Sequence, residues 1–312
     1  MAVIFNPQKV DALRLAGIVN GLLRRRKLDP ALMLPTDSGN AQAGLVQTAI
    51  DAGCTLLLIA GGDGTLRTVL EAVQGTSLSV GLLPRGTGNV LARNLGIPLG
   101  SLAKATTRAL DGNDRAIDIA RVNFTTANGQ KQSQLFAVMA GIGLDAKIMM
   151  NTDPKLKKQF GWVAYIDGGL RSLPARFETM DVSVNSRPSK RLQLHSLIVG
   201  NCGFLPGNIN LMPEARLDDG LLDLAAVGPH RFWHWIDFWN RVTWIAFLVG
   251  KVRGWRKLAQ QTANVKTLEN LAGKVIEVWP EHPVDIQLDG DPFGKVHAAA
   301  FEVLPKALRV RC

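Results

Sequence analysis

The stretch Leu56-Leu57-Leu58-Ile59-Ala60-Gly61-Gly62-Asp63-Gly64-Thr65 decides how the first half of this chain is read. An apolar run with no polar interruption stops at two glycines, an acid, a third glycine and a hydroxyl. Leu66-Arg67-Thr68-Val69-Leu70-Glu71-Ala72-Val73 follows with apolar residues at helical spacing. A buried strand, a glycine turn and a helix N-terminus in that order suit a phosphate. Glycines let an anion approach the backbone, and the first helical turn offers N–H groups without intrahelical partners.

Upstream, residues 2–5 read as a short buried strand ended by Asn6-Pro7. Residues 9–27 read as a helix with Val10, Leu13, Ile18 and Leu22 as its apolar positions, closed by Arg24-Arg25-Arg26-Lys27 as a solvated end that complements the dipole. Residues 32–34 form a second strand, and Pro35-Thr36-Asp37-Ser38-Gly39-Asn40 is a loop with cap residues for a helix ending near Ala52. Beyond the glycine turn, a helix runs to Gln74 and a strand spans 78–83. This alternation predicts a parallel sheet covered by helices. Ligands of such sheets sit at the carboxyl ends of the strands, where Asn6, Thr36 and the glycine turn all lie.

A chain of 312 residues is long for one domain and comfortable for two. With 46% hydrophobic and 20% charged residues it has the balance of a globular protein rather than a disordered one. The net charge of +10 suits anionic partners without choosing among nucleotides, nucleic acid and an acidic membrane surface. Cys54, Cys202 and Cys312 fit no metal spacing, so a reduced cytosolic compartment is expected. The start Met1-Ala2-Val3-Ile4-Phe5 lacks the marks of a signal peptide, and no run approaches the ~18 apolar residues of a bilayer span.

A second glycine turn follows the next strand, in Leu83-Pro84-Arg85-Gly86-Thr87-Gly88-Asn89-Val90-Leu91-Ala92-Arg93. Two such turns at neighbouring strand ends are far more specific than either alone. Together, Gly61-Gly62-Asp63-Gly64-Thr65 and Pro84-Arg85-Gly86-Thr87-Gly88-Asn89 resemble the diacylglycerol kinase catalytic-domain family, which includes bacterial lipid kinases, sphingosine kinases and ceramide kinases. The first motif is shared with NAD kinases; the second, with Leu91-Ala92-Arg93-Asn94-Leu95-Gly96-Ile97-Pro98 after it, points to the lipid-kinase branch. The resemblance implies ATP as phosphoryl donor. It implies a nucleotide site made by Asn6, Thr36, Gly61, Gly62, Asp63, Gly64, Thr65, Leu66, Arg67, Thr87 and Asn89. Arg67 departs from the family, which more often carries Asn there, and reads either as a cation touching a phosphate or as a side chain pointing outward.

From Arg115 the texture changes to alternating strands at 115–122, 177–184, 192–200, 221–227, 274–279 and 284–288, with helices read at 156–173 and 231–250. Many strands with glycine-rich turns suggest a mainly antiparallel β-sandwich. The expected organisation is an α/β domain over residues 1–120 and a β-sandwich domain over 121–299. The resemblance implies that residues 300–312 return to the first domain.

Two acidic stretches carry chemistry in the second half. Pro213-Glu214-Ala215-Arg216-Leu217-Asp218-Asp219-Gly220-Leu221-Leu222-Asp223 offers hard oxygen donors on a loop, suited to Mg²⁺. By resemblance the loop holds a structural Mg²⁺ through the Asp219 carboxylate and the carbonyls of Arg216 and Leu221. In Val284-Asp285-Ile286-Gln287-Leu288-Asp289-Gly290-Asp291-Pro292, alternation buries Val284, Ile286 and Leu288 and sends Asp289 off the polar side. A carboxylate there can take the proton of a hydroxyl acceptor. The family usually reads Asp-Gly-Glu, with the last acid as proton acceptor. Asp291 is one methylene shorter, and the division of roles between Asp289 and Asp291 stays open. The five histidines show no ligand spacing.

Phe232-Trp233-His234-Trp235-Ile236-Asp237-Phe238-Trp239, followed by Trp244 and Trp255 among Lys251, Arg253, Arg256 and Lys257, reads either as a buried helix or as one lying at a membrane surface. Asp237 and Arg241 argue against a spanning helix. The leading expectation is an ATP- and Mg²⁺-dependent kinase whose partner is a lipid substrate such as diacylglycerol. It is expected in the cytoplasm, in peripheral contact with an anionic membrane. An NAD kinase-like enzyme with a soluble acceptor and a catalytically silent lipid or nucleotide binder are the alternatives. A nucleic-acid partner is not expected, because the basic residues are dispersed and no recognition motif occurs.

Overall fold

The computed structural model describes residues 1–36, 42–143, 177–205, 209–227 and 268–312. Two compact units divide the chain: Met1–Ile119 with Leu304–Cys312, and Ala120–Val303.

In the first unit, β1 (Ala2–Phe5), α1 (Ala12–Arg25), β2 (Leu32–Pro35), α2 (Gln42–Asp51), β3 (Leu56–Gly61), α3 (Asp63–Val73) and β4 (Ser79–Pro84) alternate. The short α4 (Val90–Asn94), α5 (Leu102–Asp111) and the start of β5 (Asp114–Thr126) follow. The strands are parallel in the order β2-β1-β3-β4, with Ala2 opposite both Leu32 and Leu57. β1, β3 and β4 are buried along their whole length. That is why β1 and β3 are unbroken apolar runs and β4 is apolar after Ser79, rather than alternating. The chain steps outward from β1 to β2 and then returns past β1 to β3. Right-handed crossovers therefore put α1 on one face and α2 and α3 on the other; α1 packs with α5, and α2 with α3. The reversal between β1 and β3 is the switch point at which such sheets take ligands.

The helix read over 9–27 begins only at Ala12, because the Asp11 side chain accepts the Arg14 N–H at 2.8 Å and caps it. Its basic end is partly engaged: Arg26 forks onto Asp111 at 2.6 and 2.9 Å. The C-terminal segment belongs to this unit. Val310 pairs in parallel with Val80, Arg311 reaches Asp114 at 2.6 Å, and the Lys306 N–H donates to the fully buried Asp118 at 2.7 Å.

The second unit is antiparallel throughout its described pairs. Its strands are the rest of β5, then β6 (Lys131–Phe136), β7 (Met139–Gly143), β8 (Glu178–Val184), β9 (Lys190–Leu194) and β10 (Ser196–Gly200). The small pair β11 (Phe204–Leu205) and β12 (Ile209–Asn210) is followed by β13 (Leu222–Val227), β14 (Leu268–Gly273), β15 (Val275–Pro280), β16 (Val284–Leu288) and β17 (Asp291–Arg311). One ladder runs β14-β13-β10-β7-β16-β17, and β17 also pairs with β15, which leads on to β8 and β9. Val296 of β17 faces Val284 of β16, while Phe301 faces Ile276 of β15, so one long strand serves both ladders. Phe136, Ile142, Leu197, Ile276, Ile286 and Phe301 lie in the core between them, with Phe136 and Phe301 edge to face at 6.2 Å.

The single strand read over 192–200 is two. β9 is zipped to β8, β10 lies between β7 and β13, and the buried His195 separates them. Neighbouring residues that pair with different partners cannot share one ladder, so the chain breaks there. The helices read at 156–173 and 231–250, the latter with most of the tryptophans, lie outside the described residues. Among the described residues no helix is long and apolar enough to cross a membrane.

Candidate active site

The carboxyl edge of the first sheet brings three expected positions side by side. Thr36, buried just after β2, donates its N–H to Phe5 O at 2.8 Å, and the Asn6 N–H donates to Ala60 O at 3.4 Å. The Asn6 side chain accepts the Gln8 N–H at 2.9 Å and so shapes the exit from β1. At the end of β3, Gly62 is the N-cap and α3 starts at Asp63, earlier than the sequence reading. Asp63, Gly64, Thr65, Leu66 and Arg67 are therefore all in the helix, with Thr65 and Leu66 buried.

The two glycine turns are locked together. Asp63 accepts the N–H groups of Val90 and Leu91 at 2.9 and 3.2 Å, which caps α4 from a distant part of the chain. Arg85 N–H donates to Gly61 O at 2.7 Å. A Cβ on Gly62 would stand 2.9 Å from Gly86 Cα, and one on Gly86 would stand 2.5 Å from Gly62 Cα, so neither position admits a side chain. Asn89, at φ 46°, spends its carboxamide on Gly86, accepting its N–H at 2.8 Å and donating to its O at 2.7 Å. The crevice left among Gly61, Gly62, Asp63, Leu66 and Asn89 is about 20 Å³, room for a water and not for a nucleotide. These inward groups hold the turns in place. Thr87 stands exposed on the second turn. Burial pushes the Asp63 carboxyl above the ordinary carboxylate range, against the pull of its backbone donors and of Arg93.

In the second unit, Arg216 and Asp219 are exposed on the loop before β13, where Asp219 accepts the Leu221 N–H at 3.1 Å and Gly220 takes φ 74°. Asp223, buried in β13, is pushed up to about 6 by desolvation and then by the charges of Asp219 and Glu214. Sequence reading included Asp223 in the acidic stretch but gave it no ligand role, although an acid inside the buried run of β13 was the available signal. The donor set fits a hard dication: carboxylate and carbonyl oxygens with an excess of negative charge. No group of three or more His, Cys, Asp or Glu suited to a metal occurs among the described residues, so backbone carbonyls would complete the set.

Asp289 and Asp291 share the β16–β17 turn. Asp289 and Gly290 have φ 49° and 88°, the paired positive values of a type I′ hairpin, and Leu288 faces Asp291 across it. The Asp289 carboxylate accepts three successive backbone N–H groups, from Ala137, Val138 and Met139, at 2.9, 2.9 and 3.0 Å. Sequence reasoning gave residues 137–139 no role, since nothing in Ala-Val-Met marks an anion-binding turn.

Residues 1–122 match the diacylglycerol kinase catalytic domain, and residues 137–312 match the YegS C-terminal NAD kinase beta sandwich-like domain. The chain belongs to the diacylglycerol kinase catalytic-domain family. Relatives named "Probable lipid kinase YegS-like" include one from Pseudomonas fluorescens, 32% identical over 90% of this chain and 85% of its own. Another, from Klebsiella pneumoniae, is 30% identical over 99% of this chain and 94% of its own. A diacylglycerol kinase structure from Bacillus anthracis has the same fold, with a TM-score of 0.71 at 19% identity over 99% of this chain and 96% of that one. In this family member the locked glycine turns lie within the catalytic-domain match, and the Asp219 loop and the Asp289–Asp291 turn lie within the sandwich match.

Proposed function

We propose that the chain is an ATP-dependent lipid kinase that moves the γ-phosphoryl group to a hydroxyl of diacylglycerol or a related lipid. The observation that carries this reading is the Asp63 carboxylate joining the two glycine turns at the switch point of the sheet. Phosphoryl transfer depends on holding the donor in place and neutralising its charge. Backbone N–H groups at the start of α3, with Thr36, Asn6 and the exposed Thr87 around them, suit the phosphates. Asp63 and Asn89 act there as framework, because their polar atoms are spent on the turns. Mg²⁺ accompanying the nucleotide would neutralise charge, and a structural Mg²⁺ would be held in the second unit by Asp219 and the carbonyls of Arg216 and Leu221.

The lipid oxygen attacks the γ-phosphorus, the bond to the β-phosphate oxygen breaks, and ADP leaves. The hydroxyl proton goes to the acid turn that carries Asp289 and Asp291. The exposed cations Arg24, Arg25 and Lys27, on a chain of net charge +10, favour peripheral contact with an anionic membrane.

Incubation of the full chain with Mg²⁺, γ-labelled ATP and either a total lipid extract or NAD tests the reading. Label is expected in the lipid phase, and mass spectrometry of that product names the acceptor. Label in NADP would overturn the lipid acceptor, and no transfer to either would overturn the kinase.

A further inference from the structure

We infer that Asp289 is a positioning residue, a latch that fixes the turn bearing Asp291, the acid to which the family's pattern gives proton acceptance. The role of Asp291 rests on the kinase reading above; the latch rests on geometry.

The 137–139 turn between β6 and β7 presents three consecutive N–H groups in one direction, and the Asp289 carboxylate fills that concavity. The Asp289 N–H closes the ring by donating to Met139 O at 2.9 Å. The opposite side of the same turn is also held. Asn201, fully buried, donates its N–H to Val138 O at 2.9 Å and its side-chain N–H to Ala137 O at 3.3 Å. Beneath the latch, Leu288 faces Ala140 of β7, and the Gly290 N–H donates to the side chain of the buried Gln287 at 2.8 Å. Asp289 and Gly290 are thus tied to the 137–139 turn and to β16.

A carboxylate offers about four lone-pair sites, and three here receive backbone donors. A proton on Asp289 would exchange charge-assisted bonds for neutral ones at all three, so accepting the substrate proton works against the latch. The left-handed backbone at Asp289 has a matching cause. With φ 49° the residue turns its short side chain back over residues 137–139, a reach that Asp has and that Glu, longer by one methylene, overshoots. Asp291 instead opens β17, where Leu288 sets its register.

Three variants of the full chain test the division: Asp289→Glu, Asp289→Asn and Asp291→Glu. The probes are phosphate transfer from MgATP to a total lipid extract in detergent micelles, and hydrogen exchange of the Ala137–Met139 amides without lipid. Asp289→Glu and Asp289→Asn are expected to lower kcat by about 100-fold, the effect of misplacing a group by about an ångström, with KM for ATP within about twofold. Both should speed exchange at the three amides. Asp291→Glu should keep transfer within about tenfold and leave exchange unchanged, since it preserves the acid.

An active Asp289→Glu beside an inactive Asp291→Glu would overturn the inference. So would unaltered amide exchange in Asp289→Asn. If the wild-type chain phosphorylates no lipid, the kinase reading fails, and the exchange measurement still decides the latch.

Discussion

Asp63 Oδ2 lies 2.9 Å from the backbone nitrogen of Val90, and the bond between them joins two glycine turns that are 27 residues apart at this contact. An acid in the first turn of α3 thereby supplies the cap of α4, and Asn89 in its left-handed conformation leaves those N–H groups open to it. The family's first motif and its second are mechanically one object.

Asp63→Ala should therefore destabilise the first unit as well as abolish transfer. It leaves the Val90 and Leu91 N–H groups without their carboxylate, at a cost of about 1–3 kcal/mol. Denaturant unfolding checks the stability, and ATP-dependent transfer checks the activity. Unchanged stability would show that water replaces the cap at no cost.

Gly86→Ala should separate the turns. Its methyl would stand 2.5 Å from Gly62 Cα, a backbone atom that cannot rotate away. Overpacking of this kind costs about 1–3 kcal/mol. Transfer should fall with it, whereas Gly96→Ala, a substitution at a glycine with φ 67° and open space around it, should cost stability without touching the turns. Equal transfer rates in the two variants would contradict the locked arrangement.

Asp223 should make the metal-free protein more stable at pH 5 than at pH 7.5. Its folded pKa of about 6 stands above the ordinary 3.8, so the fold favours the protonated form. That contribution is fully present below about 3.8 and is lost as pH rises through about 6, and after allowance for solvent screening about 1 kcal/mol of it falls between pH 5 and pH 7.5. Thermal unfolding in a chelator across this range measures it. Asp223→Asn should flatten that part of the profile, and an unchanged slope would count against the crowding by Asp219 and Glu214.

Removal of Mg²⁺ should stop transfer, and Asp219→Asn should raise the Mg²⁺ concentration needed for half-maximal activity by about tenfold or more, as expected when one charged ligand of a hard cation is neutralised. Titration of activity with Mg²⁺ after chelation checks this. An unaltered requirement in Asp219→Asn would place the needed metal elsewhere.

Local pattern alone determined the α/β alternation, the apolar runs of β1, β3 and β4, the antiparallel character of the second half, and the two turns that mark the family. Those features are legible because strand and helix periodicities and glycine spacing act over a few residues. Tertiary structure alone decided where the acids and amides of those motifs point. Asp63 turns to Val90, Asn89 to Gly86, and Asp289 to Ala137, which is 152 residues away. Each of these bonds depends on how distant strands are set in register, and no local spacing encodes that. The same cause split residues 192–200 into β9 and β10, since each half found a different partner. The opening stretch thus announced a phosphate turn, and only the packed sheet made its acid the pin that holds the second turn in place.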